Sequence, residues 1–162
     1  MKKIVIVRHA KSSWEHDVND ISRPLKKRGI ADAGLVSEDF VQFKYEPEIV
    51  FSSPATRAVE TCKIFVRNLN ISKDNVGIYD ELYDFGGHDV VDFIKLIDNK
   101  YNNVMLFGHN HALTSIVNLY GDTYIDNLPT SGLVVLEFDI ESWSDLKQGR
   151  TLKTIFPRDL KD

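Results

Sequence analysis

The sequence predicts an α/β protein, a three-layer α/β/α sandwich around a mainly parallel central sheet. Three observations carry this. Short continuous apolar runs, such as "IVIV" at residues 4–7, suit strands covered on both faces. Longer segments place apolar residues at three- and four-residue steps, the period of an amphipathic helix. The two kinds of segment alternate along almost the whole chain, as they do when helices cover both faces of a parallel sheet. With 162 residues the chain can bury one core but not two comfortable ones, so a single domain over residues 1–162 is expected.

The elements follow in order. Residues 4–7 are β-branched throughout and form the first strand. Residues 9–23 are polar and irregular, and a loop of that length in a compact domain is often functional. From Pro24, "LKKRGIADAGLVSEDFVQF" reads as a helix with Leu25, Ala33, Val36, Phe40 and Phe43 on one face. "EIVFSS" at residues 48–53 is the second strand. A second helix follows, with Ser53 as its N-cap, Pro54 at its first position, and Ala58, Cys62, Phe65 and Leu69 as its apolar stripe. "VGIYD" is a third strand, "HDVVDFIKLIDN" a third helix, "NVMLFGH" a fourth strand, and residues 111–120 a fourth helix. "GLVVLEF" is a fifth strand and "RTLKTIF" a last edge strand.

Composition narrows the function. The chain is 43% hydrophobic and 27% charged, an ordinary globular balance. Its net charge of −4 supplies no positive field for a nucleic acid. A single cysteine, Cys62, allows no intrachain disulfide and fits a reducing compartment. "MKK" is followed by four aliphatic residues before Arg8, whereas a signal-peptide core needs roughly 7–15. No stretch approaches the ~20 apolar residues of a membrane span. A soluble cytoplasmic protein without nucleic-acid or membrane partners is expected, and a monomer.

In an open parallel sheet, ligands bind beyond the carboxyl ends of the strands. There the first strand delivers Arg8 and His9. The second delivers Ser52 and Ser53, with Arg57 in the following helical turn, and the fourth delivers Gly108 and His109. Two arginines and two imidazoles on one rim make an anion site, because each guanidinium is a permanently charged planar fork of donors. Helix N-termini add backbone N–H groups. One neutral imidazole could attack phosphorus while the other stabilises the migrating group.

"VRHAKSSW", "SSPATRAVET" and "FGHNH" together resemble the histidine phosphatase superfamily, with its phosphoglycerate-mutase-like fold. Asp20, Arg23-Pro24-Leu25 and Gly29 in the longer string make it similar to the small SixA-like phosphohistidine phosphatases. The resemblance implies a metal-independent, cofactor-free phosphatase. His9 would be the nucleophile and become phosphorylated, with Arg8, Arg57 and His109 around the phosphoryl oxygens. Ser12 and Asn110 are further candidates for phosphate contacts. Asp84, two residues after Leu82, stands where mutase-type relatives carry a glutamate and is the candidate general acid. Glu81 competes with it, and solvent or His109 could supply the proton instead.

Other features have plainer readings. His109-Asn110-His111 contains a His-x-His pair, but the further ligands of a metal site are missing from its surroundings in sequence. His111 is expected to cap the fourth helix or line the rim. His16 and His88 read as solvated, Cys62 as a small buried thiol, and Lys26-Lys27-Arg28 as a solvated helix face, with docking of an acidic protein surface near the site as its alternative. Trp14 could pack as a lid or within its own loop. The chain has no room for long insertions over the pocket, which favours phosphohistidine on a signalling protein, such as a histidine phosphotransfer domain, as substrate. A small phosphate ester is the enzymatic alternative. A non-catalytic phosphate-binding adaptor is the alternative of another class.

Overall fold

The computed structural model describes residues 1–161. Its centre is a six-stranded sheet of β1 (Lys2–Arg8), β2 (Ile49–Ser52), β3 (Val76–Ile78), β4 (Asn103–Gly108), β5 (Leu133–Phe138) and β6 (Arg150–Ile155), in the order β3-β2-β4-β1-β5-β6. The strands β3, β2, β4 and β1 run parallel, and β5 and β6 continue the sheet antiparallel. Four helices cover it: α1 (Lys27–Phe40), α2 (Thr56–Asn68), α3 (His88–Lys95) and α4 (Ala112–Tyr120).

The alternation of side chains along a strand explains the unbroken apolar runs. Ile4 and Ile6 of β1, with Val104 and Leu106 of β4, pack with Val90 and Ile94 of α3 and Leu113, Ile116 and Val117 of α4. Their neighbours Val5, Val7, Met105 and Phe107 pack on the opposite face with Ala33, Val36 and Phe40 of α1 and Cys62 and Phe65 of α2. Each strand therefore serves two cores, and the predicted three layers are present.

Element ends differ from expectation. The first helix stops at Phe40; a 3₁₀ turn over Val41–Phe43 follows, and Lys44 at φ 55° ends it in the left-handed region. The second helix begins at Thr56 and not at Pro54. Ala55 stands at its N-cap without a side-chain bond, which frees Ser53 for another task. The third strand ends at Ile78 and the third helix at Lys95, both shorter than their apolar patterns. Lys2, polar in sequence, is buried; its ammonium donates to the carbonyls of Asn99 and Tyr101 and to Asn102 Oδ1.

The irregular segment after β1 is fastened to the start of α1. Ser13 N donates to Pro24 O and Lys26 N to Lys11 O, at 2.8 and 3.0 Å, with a bridge between Ser12 and Leu25. Gly29 allows this approach, since a Cβ there would collide with the Lys11 carbonyl. The loop is thereby held against the ends of β1 and α2.

Candidate active site

His9 continues the register of β1 past its last ladder pair, with its amide donating to Gly108 O at 3.1 Å. The residue is buried, and its Nδ1 lies 2.7 Å from the carbonyl of Ala10. A carbonyl only accepts, so Nδ1 carries the proton and Nε2 the lone pair. Ala10 is fixed in turn: its amide donates to Thr61 Oγ1, which donates to Arg57 O one turn earlier in α2. The same helix therefore orients the imidazole and supplies an arginine.

Arg57 is 2% exposed. Its two terminal nitrogens donate to the carbonyl and to Oδ2 of Asp20, at 2.7 and 2.9 Å. Arg8 donates through Nη1 to Leu128 O at 2.8 Å. His109 is completely buried at the end of β4; its Nε2 lies 2.8 Å from Ser53 Oγ, and its ring centroid is 5.3 Å from that of His9. Ser53 also accepts from Ala55 N, so the residue expected to cap α2 links its entry turn to the second histidine. Three polar atoms of this cluster are buried without a hydrogen-bond partner: Arg8 Nε, Arg57 Nε and His109 Nδ1. Such atoms are rare in folded proteins and are what a ligand would satisfy.

Electrostatics keep both imidazoles neutral. Burial lowers the His9 pKa to about 4, partly opposed by the Ala10 bond and reinforced by Arg57, Arg8 and Arg23. Burial again, then His9 and Arg57, lower His109 to about 3. The adjacent Arg8 contributes less to the His9 shift than desolvation and Arg57 do.

Asp84, Asn110 and Ser12 stand elsewhere than expected, while Cys62 is buried as read from the sequence. Asp84 turns its carboxylate to the backbone, accepting from the amides of Gly86, Gly87 and Val90 at 3.0–3.1 Å, as a cap for α3. Glu81 is exposed in the 3₁₀ turn Asp80–Leu82. Asn110 caps α4, its Oδ1 accepting from Thr114 N and Oγ1, while its amide donates to Asn127. His111 is exposed at the N-cap without a side-chain bond. The Ser12 hydroxyl accepts from Arg23 Nη1 at 2.6 Å. Trp14 is 78% exposed, with the Arg23 guanidinium stacked 3.5 Å from its ring centre. Cys62 is buried, and burial pushes its thiol up to about 12. Among the described residues no group of three or more His, Cys, Asp or Glu is placed to hold a metal ion.

The geometry adds residues that carried no role in the sequence reading. Asp20 collects Arg57, Arg23 Nε at 3.1 Å and the Tyr83 hydroxyl at 2.5 Å. Partial burial opposes its ionisation, but these three donors hold the carboxyl well below the usual range. Tyr83 and Phe85 flank His109, with ring centroids at 5.3 and 5.1 Å. Ser131 is buried at φ 61°, its amide bonded to the carbonyls of Arg8 and His9 and its hydroxyl unpartnered. The three-residue spacing of Asp20 and Arg23 was a readable signal, as was the aromatic pair after the third strand.

A family model of the histidine phosphatase superfamily (branch 1) matches residues 4–89. The chain belongs to the histidine phosphatase superfamily. Among its relatives, an uncharacterized chloroplastic protein of Arabidopsis thaliana is 28% identical over 153 residues, covering 89% of this chain and 70% of the relative. A Mycobacterium tuberculosis protein is 26% identical over 154 residues, covering 88% and 93%. Among solved structures, the protein histidine phosphatase SixA complexed with tungstate superposes with a TM-score of 0.83 at 22% identity, covering 98% of this chain and 99% of that one. At that identity the likeness shows the superfamily's fold. Membership accounts for the matched stretch that holds Arg8, His9 and Arg57, while His109 lies beyond it and joins them through β4.

Proposed function

We propose that this chain is a SixA-like phosphatase that forms a phosphohistidine intermediate on His9 and acts on phosphohistidine of a signalling protein. The observation that carries it is the His9 ring: neutral, protonated at Nδ1 by the Ala10 contact, and set among Arg8, Arg57 and His109. His9 Nε2 attacks phosphorus as the bond from phosphorus to the substrate nitrogen breaks. The leaving imidazole takes a proton from solvent. Water then attacks the phosphohistidine, releasing phosphate and restoring His9.

The unpartnered nitrogens of Arg8 and Arg57 suit the developing charge on the phosphoryl oxygens. With the Ser53 hydroxyl donating to His109 Nε2, the His109 proton sits on Nδ1, free for a third oxygen. An imidazole is a better leaving group than an alkoxide, so the reaction does not call on Asp84. A protein substrate is supported by the short path from α2 to α3, which holds one three-residue strand and 3₁₀ turns and no inserted lid.

The test is a panel of phosphohistidine proteins, sugar phosphates and glycerate phosphates. Turnover of the phosphohistidine proteins with acid-labile label trapped on His9 is expected. His9→Ala should abolish turnover and leave tungstate binding within a few fold. Release of phosphate from small esters alone would reassign the substrate. No release from any member would leave a phosphate-binding adaptor.

A further inference from the structure

Beside α2, at the β3 edge of the sheet, lies a groove of about 720 Å³ that takes no part in the chemistry above. Its walls carry the aliphatic side chains of Val59, Val66, Ile71, Val76 and Ile78, and three cations, Lys63, Arg67 and Lys73, stand along it. No carboxylate lines it. In a chain of net charge −4 this is a local reversal of sign. All three cations are exposed, and among the described residues none of them is in an ion pair. Ile78 is 49% exposed at the groove's end.

The groove's position relative to the site is fixed by α2. The helix starts beside Arg57 and carries Lys63 and Arg67 six and ten residues further on. At ~1.5 Å per residue these stand about 9 and 15 Å from the phosphate-binding arginine along the helix axis. A protein that brings a phosphorylated side chain to Arg57 covers roughly 800 Å² of this molecule, a disc of about 16 Å radius. Because α2 leads away from the site along the flank of the sheet, a partner reaches Lys63 and Arg67 by extending from the rim onto that flank.

We infer that this groove is a docking site for an acidic, aliphatic-anchored surface of the phosphorylated partner protein. The inference rests on the protein-substrate reading of the active site. Carboxylates of the partner pair with Lys63, Arg67 and Lys73, and aliphatic side chains fill the floor. Asp80 and Glu81, in the turn between β3 and the site, set the register. The partner's negative face must lie beyond them, over α2, because carboxylates placed against that turn would be repelled. A nucleic acid fits the groove poorly, since no aromatic ring lines it to stack a base.

The experiment uses the full chain and a histidine phosphotransfer domain that carries carboxylates beside its phosphohistidine, phosphorylated chemically. Free phosphohistidine and p-nitrophenyl phosphate are the small substrates. The double variant Lys63→Glu/Arg67→Glu, and separately Lys73→Glu, leave Arg8, His9, Arg57 and His109 untouched. For the double variant, KM for the phosphoprotein is expected to rise at least tenfold and to lose most of its salt dependence. Turnover of both small substrates stays within about twofold, which also shows that the fold is intact. Lys73→Glu should give a smaller change in the same direction. Unchanged KM for the phosphoprotein in both variants would overturn the docking site alone. A wild-type chain that hydrolyses p-nitrophenyl phosphate but no phosphoprotein would overturn the substrate reading and the docking site together.

Discussion

At the scale of single residues, the site is governed by desolvation. His9 and His109 are both buried, and their pKa values fall to about 4 and about 3. In the unfolded chain each returns to about 6.5. Between those limits the unfolded state binds protons that the folded state refuses. The two histidines therefore contribute stability that is fully present above pH 6.5 and is lost as pH falls through the folded values. In anion-free buffer the melting temperature should drop by about 10 °C or more between pH 6.5 and pH 4, a loss on the order of 3 kcal/mol for each histidine. His9→Ala should flatten that slope. A wild-type melting temperature constant over the window would show that the imidazoles are not held neutral. The same shifts keep His9 Nε2 unprotonated well into acid, so single-turnover phosphorylation of His9 by an aryl phosphate should hold its rate from pH 7 to about pH 5. The Asp20 carboxylate, also depressed, adds to acid lability only at still lower pH.

At the scale of elements, Asp84 decides between two physical roles. Its two oxygens satisfy three amides at the start of α3, whose N-cap, Gly87, has no side chain to do so. Asp84→Ala should cost about 0.5–2 kcal/mol of stability, the range for a lost cap, measured by denaturant unfolding. Asp84→Asn keeps an acceptor oxygen and should turn over phosphohistidine within a few fold of wild type. A hundredfold loss with Asn, without loss of stability, would return Asp84 to the role of general acid. This residue also shows how far the sequence could be read. The strands were legible because both faces of the sheet are covered, so β1 and β4 are apolar at every position of the core. The convergence of Arg8, Arg57 and His109 followed from the rule that strand ends carry function, and the family motifs sharpened it. Helix starts were less legible. Ser53-Pro54 has the composition of a cap, but His109 competes for the Ser53 hydroxyl, and the helix begins at Thr56. Of the Asp20 cluster only the local Arg23 partner was readable, because Arg57 and Tyr83 reach it from distant segments.

At the scale of the whole molecule, the sheet order places the Arg-His pair at the centre, on β1, with β4 and β5 as its neighbours. Neither acidic candidate stands free as a proton donor, since Asp84 caps a helix and Glu81 is exposed in its turn. His109 is neutral and fixed to Ser53. In the proposed mechanism such a site stabilises charge on the phosphoryl oxygens but does little for charge on the leaving atom. Its rate should therefore depend steeply on how well the leaving group carries its own electrons. Across a series of phosphate monoesters, kcat/KM should fall at least a hundredfold from p-nitrophenyl phosphate to an alkyl phosphate of similar size. Phosphohistidine and other phosphoramidates should lie at the fast end, because their nitrogen can be protonated from water before or during departure. An alkyl phosphate hydrolysed as fast as the aryl ester would mean that a side chain of this protein delivers the proton. A flat series with a solvent isotope effect near unity would place product release, not chemistry, at the slow step. Pre-steady-state measurement of His9 phosphorylation would then recover the leaving-group slope that the steady state conceals.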